Sequence, residues 1–308
     1  MATVLITGGT GLIGTALTKA LVAKGYKVTI LTRAIPKTDR FTPNVSYAEW
    51  NIEEQIIDEQ AIKNADYIIH LAGANIAEHS WTEERKKEIV ESRTSSSALL
   101  VKALNEIVND VKAVTSASGV GWYGQDPKIP NPTPFDENFP ADTGFLGQAC
   151  KQWEESIEPV TALGVRLVKL RTGLVFSNDG GAYKEFKKPL KYGVAAIFGK
   201  GKQVISWIHI HDLVRLYIAT IEDAQWSGVY NAVTPYPVTN KRLMLTIART
   251  RKKFFIPFRV PAPVLKKMFG ELSTEVLKST TVIPAKVQAS GFVYRYPTAK
   301  EAIQKLEA

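Results

Sequence analysis

Three glycines at a fixed spacing, directly after a short apolar run, constrain this chain more than any other feature. Val4, Leu5 and Ile6 make a buried-strand run, Gly8, Gly11 and Gly14 follow as G-x-x-G-x-x-G, and Leu17, Leu21 and Val22 then recur on one helical face. Gly8 permits a sharp strand-to-helix turn, Gly11 lets a pyrophosphate approach the main chain, and Gly14 lets the helix pack close to the strand. Thr10, Leu12 and Ile13 complete the turn, whose N–H groups face an anion at the helix N-terminus. A glycine-rich turn that binds nothing is the competing reading. The strand before it and the helix after it argue for a dinucleotide.

The chain continues in the same rhythm. Lys27–Thr32 reads as a second strand, with Arg33 at its end where dinucleotide folds choose their cofactor. No acid stands between Tyr26 and Thr38 to meet a ribose 2′-hydroxyl, whereas Arg33 and Lys37 are basic. This predicts NADP (NADPH) rather than NAD, against the plain alternative of a surface arginine. Val45–Trp50 reads as a third strand, with Asn51 and Ile52 beside an adenine. Ala65–Gly73 is a fourth, ending Leu71-Ala72-Gly73, a tip that lets backbone approach the cofactor. Trp81–Asn109 has helical periodicity, Val111–Ser116 is a fifth strand, and Gln125–Pro140 is loop by its Pro, Asn and Asp content. Gly147–Leu163 returns to helix, and Gly164–Arg171 is a sixth strand. Residues 172–206 read as a substrate-side excursion, His209–Asp223 as an amphipathic helix, and Val229–Val233 as a last short strand.

Such alternation predicts an α/β fold, a Rossmann-like doubly wound parallel sheet with a smaller substrate-side and C-terminal helical region. Residues 1–240 are expected to form the NADP-binding part and 241–308 a basic, mainly helical C-terminal domain. That last stretch carries 14 Lys+Arg against 4 Asp+Glu, so it holds the whole net charge of +9. Apolar residues interleaved with its cations argue for folded, solvated helices rather than a nucleic-acid or membrane-binding arm. One cysteine, Cys150, excludes an internal disulfide and is compatible with a reducing compartment. No bilayer-length apolar run and no leader-like n-region are visible, so the expected location is the cytoplasm.

Several motifs together resemble an extended short-chain dehydrogenase/reductase over nearly the whole chain. They are the G-G-T-G-x-x-G opening, His70-Leu-Ala-Gly73, Ser116-Ala-Ser118 with Tyr123-Gly124, and Trp207-Ile-His-Ile-His-Asp212. Ser206–Leu213 and a C-terminal block with Pro284-Ala and Gly291-Phe-x-x-x-Tyr-Pro297 are similar to an atypical "epimerase family protein" branch. That branch is nucleoside-diphosphate-sugar epimerase-like and carries a small C-terminal domain of unknown function. The resemblance implies Ser116 near the cofactor and Ser118 orienting a substrate oxygen. It also implies a Tyr-x-x-x-Lys pair as proton relay.

That pair does not appear. Phe145–Glu154 reads FLGQACKQWE, and one register puts Gly147 and Lys151 at the Tyr and Lys positions; shifted by one, they are Leu146 and Cys150. Tyr123 is a candidate acid or a packing residue. Cys150 is a candidate thiol or a small buried hydrophobe, and Lys151 is a ribose ligand in the first register. Arg171, at the sixth strand's end, has two readings: a substrate phosphate or carboxylate, or an ion pair with a nearby acid. Arg93 faces either the cleft or solvent. His209 and His211 form a metal pair or a structural motif, and with no third ligand evident no metal is expected. The expectation is an NADP(H)-binding oxidoreductase or epimerase-like protein acting on a small anionic or sugar-like molecule. The alternative is a non-catalytic NADP(H)-binding or sensing protein.

Overall fold

Short apolar runs separated by helical segments assemble into one eight-stranded sheet. The computed structural model describes residues 1–35 and 42–308. The sheet contains β1 (Thr3–Thr7), β2 (Lys27–Thr32), β3 (Val45–Asn51), β4 (Ile56–Ile57), β5 (Tyr67–His70), β6 (Ala113–Gly119) and β7 (Arg166–Thr172). Four strands, β8 (Leu174–Phe176), β9 (Val194–Phe198), β10 (Val204–Ile205) and β11 (Trp207–His209), lie outside it, and β12 (Gly228–Ala232) closes one edge. The order is β12-β7-β6-β5-β1-β2-β3-β4, parallel except for the short β3–β4 pair. The chain runs outward from β1 through β2 and β3, then returns to β5 on the other side. The carboxyl ends of β1 and β5 therefore flank the point where ligands bind in open α/β sheets.

Alternation along each buried strand supplies two faces. Val4 and Ile6 of β1 pack with α1 (Leu12–Ala23), and the same cluster includes Leu213, Tyr217 and Ile221 from a helix at Ile210–Glu222. Leu5 packs on the opposite face with α2 (Glu59–Lys63) and α3 (Glu83–Glu106), joined by Ile157 at the end of α4 (Phe145–Ile157). Leu5, Leu17 and Leu100 have no exposed surface, so truncating any of them to Ala costs about 2–5 kcal/mol. The doubly wound parallel sheet expected from the sequence is thus the observed one.

Helix limits follow local chemistry. Thr82 caps α3 by accepting the Arg85 N–H. The helix expected over 147–163 begins earlier, at Phe145, and gives way to a 3₁₀ turn over Glu158–Leu163, where Pro159 stands in the first turn. The loop before α4 is ordered by one carboxylate. Asp126 accepts from Asn131 Nδ2, Ser279 Oγ, Thr281 Oγ1 and Thr281 N at 2.7–2.9 Å.

Beyond the sheet lie α5 (Gly181–Lys187), α6 (Ile210–Glu222), β13 (Val238–Thr239), α7 (Asn240–Thr250), β14 (Ile256–Val260), and α8 (Ala262–Phe269) to α11 (Ala299–Glu307). Gly228–Ala232 is therefore not the last strand. β10 pairs with β13, and β14 pairs in parallel with β9. These partners lie far apart in sequence, and local periodicity cannot show such pairing. The two motifs behind the family resemblance meet in space: Asp212, fully buried, accepts the Arg295 and Tyr296 N–H groups at 2.9 Å. His209 is the N-cap of α6, its Nδ1 accepting the His211 N–H at 3.1 Å.

Candidate functional site

The glycine turn is sterically determined. Gly8 has φ +67°, and a Cβ there would lie 2.9 Å from the Leu71 carbonyl carbon and oxygen. A Cβ at Gly14 would stand 2.5 Å from Gly8 O and Gly9 Cα, so only glycine lets α1 start so close to β1. Gly11 caps α1 with no side-chain hydrogen bond, and the first turn has no acid. Its leading N–H groups are thus left to an outside acceptor, and the helix end favours an anion. A dinucleotide pyrophosphate fits this cradle. Thr10, Gly11 and Leu12 border a cleft of about 870 Å³ that continues past Thr15 and Lys19 to His211, Arg215 and Arg295, while Ile13 is half-buried. Arg33 is exposed at the end of β2 and makes no ion pair among the described residues. Lys37 lies outside the described residues.

At the neighbouring tip, Leu71 and Ala72 each donate their N–H to Thr7 Oγ1 at 3.1 Å. With its lone pairs so used, Thr7 turns its hydroxyl proton to His70 Nδ1, 2.8 Å away, which leaves the His70 proton on Nε2 toward Ser97. Burial pushes His70 down to about 4, so the ring is neutral at pH 7. Ser116 is buried opposite His70 in the β5–β6 register and donates to the Ala117 carbonyl. Gly73 is exposed at the strand tip.

Two residues further along, the register aligns Ser118, Arg171 and Asn231 across β6, β7 and β12. Ser118 Oγ donates to Glu154 Oε1 at 2.7 Å. Arg171 holds the same carboxylate bidentately, Nε to Oε1 at 2.8 Å and Nη2 to Oε2 at 3.0 Å, with its Cζ 3.5 Å from the Trp122 ring centroid. Arg171 Nη1 also donates to the Tyr123 hydroxyl at 3.0 Å, which donates to Asn231 Oδ1 at 2.7 Å. Arg171 is 3% exposed and Glu154 5%. Burial opposes the guanidinium charge, and the Glu154 bonds outweigh it, so Arg171 titrates above its ordinary value. The structure therefore gives Arg171 the internal ion pair, not an open hand for substrate. Tyr123 has no exposed surface, and burial, partly offset by Arg171, raises it to about 12.

The helix register settles what position 147 can carry. A Cβ there would lie 2.2 Å from the Asp142 carbonyl oxygen, against backbone that cannot swing away. Lys151 points outward, half-exposed, 3.8 Å from Glu155. Cys150 lies inside with its Sγ beside Gly119 and Gly121, and burial lifts the thiol to about 11. Arg93 turns inward too. Its guanidinium lies against Gly73 and 4.8 Å from the Trp153 ring centroid. Glu154 was legible in principle. Gly147, Cys150, Glu154 and Ile157 share one buried face of α4, and a carboxylate on an apolar stripe marks a buried partner. Thr7 and Asn231 gave no comparable sign.

The fold and the turn define a dinucleotide-binding protein of the short-chain dehydrogenase/reductase type. The chain belongs to the NAD dependent epimerase/dehydratase family, which matches residues 4–232, and a domain of unknown function (DUF1731) matches 260–306. An epimerase family protein of Staphylococcus saprophyticus is 35% identical over 302 residues, 98% of each chain. The crystal structure of human epimerase family protein SDR39U1 (isoform 2) with NADPH superposes with a TM-score of 0.84 at 29% identity, over 99% of each chain. A nucleoside-diphosphate sugar epimerase from Corynebacterium glutamicum gives 0.78 at 30% identity, covering 99% of this chain and 58% of that one. Among the described residues no helix is long and apolar enough to cross a membrane.

Proposed function

We propose that this protein binds NADP(H) and transfers hydride between it and a small anionic or sugar-like molecule, without a Tyr-x-x-x-Lys relay. The observation that carries this reading is the pairing of an uncapped, glycine-determined α1 turn with an α4 that offers Gly147 and an outward Lys151 in one register and Leu146 and a buried Cys150 in the other. The backbone of Thr10 to Gly14 would hold the pyrophosphate, with the tip Leu71–Gly73 beside the cofactor, and Arg33 would meet a 2′-phosphate. The NADPH in the human relative's structure supports that cofactor. When bound, NADPH supplies the hydride. The chain's own part is to bind, orient and exclude water. Tyr123, with its proton donated to Asn231, is assigned to the wall of the site rather than to acid catalysis.

One observation favours a second reading, an NADP(H)-binding protein without turnover: Ser118, Tyr123 and Arg171 are all occupied by one internal network. The two separate in one experiment. Wild-type protein with saturating NADPH is followed by absorbance against a panel of carbonyl compounds, keto acids and nucleotide sugars. Oxidation of NADPH by any of them, abolished by Gly14→Val, supports the first reading. Tight NADPH binding with no turnover across the panel leaves the second.

A further inference from the structure

We propose that β14 and the turn before it form a docking surface for an anionic lipid bilayer, on which the protein lies without crossing it. The proposal is independent of the cofactor cleft and of the NADP(H)-binding reading.

The surface is apolar where a folded chain usually meets water with polar groups. β14 pairs with β9 in a two-stranded parallel sheet that has one buried face. Ala195 and Ile197 of β9 enter a core cluster, and Phe255, just before β14, packs against it. Ile256 and Phe258 alternate to the other face, beside Val194 and Ala196, and remain 57% and 56% exposed. Phe254 is 84% exposed and Tyr192 87%. Their two stretches meet where the Ile256 N–H donates to the Gly193 carbonyl at 2.8 Å. Exposed apolar residues scattered singly are ordinary. Large ones gathered at the end of one small sheet mark an interaction surface.

Charge identifies what covers it. Between Asp223 and Glu271 the chain has nine Lys+Arg and no acid. Lys252 and Lys253 immediately precede Phe254, Arg259 follows Phe258, and Lys191 precedes Tyr192. All four cations are exposed, and none is ion-paired among the described residues. Acids of the flanking helices are already engaged, Glu185 by Lys188 and Glu307 by Lys187 and Arg251. Two other occupants fit this surface poorly. A second copy of the chain would bring the same cations against their own images. An added strand would need the free edge of β14. Ile256 and Val260 spend their backbone bonds on β9, which leaves Pro257 on that edge with no N–H to offer. Aromatic and aliphatic tips set among unpaired cations match the boundary of an anionic bilayer. There the tips enter the acyl region and the cations meet headgroup phosphates.

The test mixes full-length protein with vesicles of phosphatidylcholine alone, or of phosphatidylcholine and phosphatidylglycerol in equal parts, and reads the bound fraction by sedimentation. The expected result is partition onto the anionic vesicles about tenfold or more above the neutral ones, lost as salt rises to about 0.5 M. Lys252→Asn with Lys253→Gln should weaken it roughly 10- to 30-fold. Asn suits position 252, where φ is 52°. Phe254→Ser with Phe258→Ser should weaken it roughly tenfold. Circular dichroism checks the fold of each variant; should a double variant not fold, Phe254→Ser alone, at the more exposed position, should still weaken partition several-fold. Three results would overturn the proposal: no partition of wild type at about 1 mM anionic lipid, equal partition onto neutral vesicles, or unchanged partition in the folded variants. Heparin binding that survives Phe254→Ser with Phe258→Ser, without vesicle partition by wild type, would give the cations to a soluble polyanion and overturn it too.

Discussion

Glu154→Gln is the substitution that separates a structural role for the Ser118–Glu154–Arg171 cluster from a catalytic one. The two side chains are 5% and 3% exposed, and the carboxylate receives two guanidinium bonds and one hydroxyl bond, all at 2.7–3.0 Å. Replacing it by an amide preserves shape and an acceptor for Ser118, but strands a buried guanidinium against Trp122 and Tyr123. Breaking one side of such a pair costs about 3–5 kcal/mol. For a chain of this size that lowers Tm by roughly 5–15 °C. Because the penalty arises from an uncompensated charge, Glu154→Gln combined with Arg171→Met should recover a large part of it, giving a coupling of about 1–3 kcal/mol in a double-mutant cycle. Urea unfolding followed by circular dichroism measures all four proteins, and NADPH titration shows whether the cofactor site survives. A Glu154→Gln protein within about 1 kcal/mol of wild type would show that the Arg171 charge does not depend on Glu154.

Three further outcomes follow from single residues. Gly147→Ala should destabilise by about 1–3 kcal/mol in urea unfolding, because its Cβ would collide with Asp142 backbone; a neutral effect would mean α4 moves freely. His70 has a folded pKa near 4 against an unfolded value near 6.5, so its contribution is present above pH 6.5 and lost as pH falls toward 4. This amounts to about 3 kcal/mol, and His70→Asn should flatten the loss of stability between pH 7 and 4. An unchanged pH slope would count against the neutral, buried ring. Cys150, with a thiol raised to about 11, should react with a thiol reagent at pH 8 only as fast as the protein opens. Rapid labelling of native protein would contradict its burial.

The sheet was legible because its cause is local: apolar runs, turn glycines and helical periodicity each declare themselves within ten or so residues. Val4–Ile6, Lys27–Thr32 and Arg166–Thr172 illustrate this. The site was legible only where backbone geometry dictates residue type, as at Gly8, Gly11 and Gly14. Side-chain pairing was not. Arg171 carries the same letter whether it meets a substrate phosphate or Glu154, and only the register of β6, β7 and α4 decides. Tyr123 likewise looked free to reach a cleft until Asn231 and Phe135 enclosed it. Arg93 was missed as a buried cation because its partner, Trp153, lies on another helix. β14 escaped because its pairing strand, β9, lies in the excursion.

The proposed selection of NADP(H) rests on the α1 turn for the dinucleotide and on Arg33 for the 2′-phosphate. The most direct test is the dissociation constant for NADPH and for NADH, by fluorescence titration of wild type and Arg33→Ala. NADPH should bind tighter than NADH by about tenfold or more, with the preference lost in Arg33→Ala because only NADPH weakens. Equal weakening of both would remove the 2′-phosphate contact. No NADPH binding by wild type at about 1 mM would mean that the α1 turn holds no NADP(H).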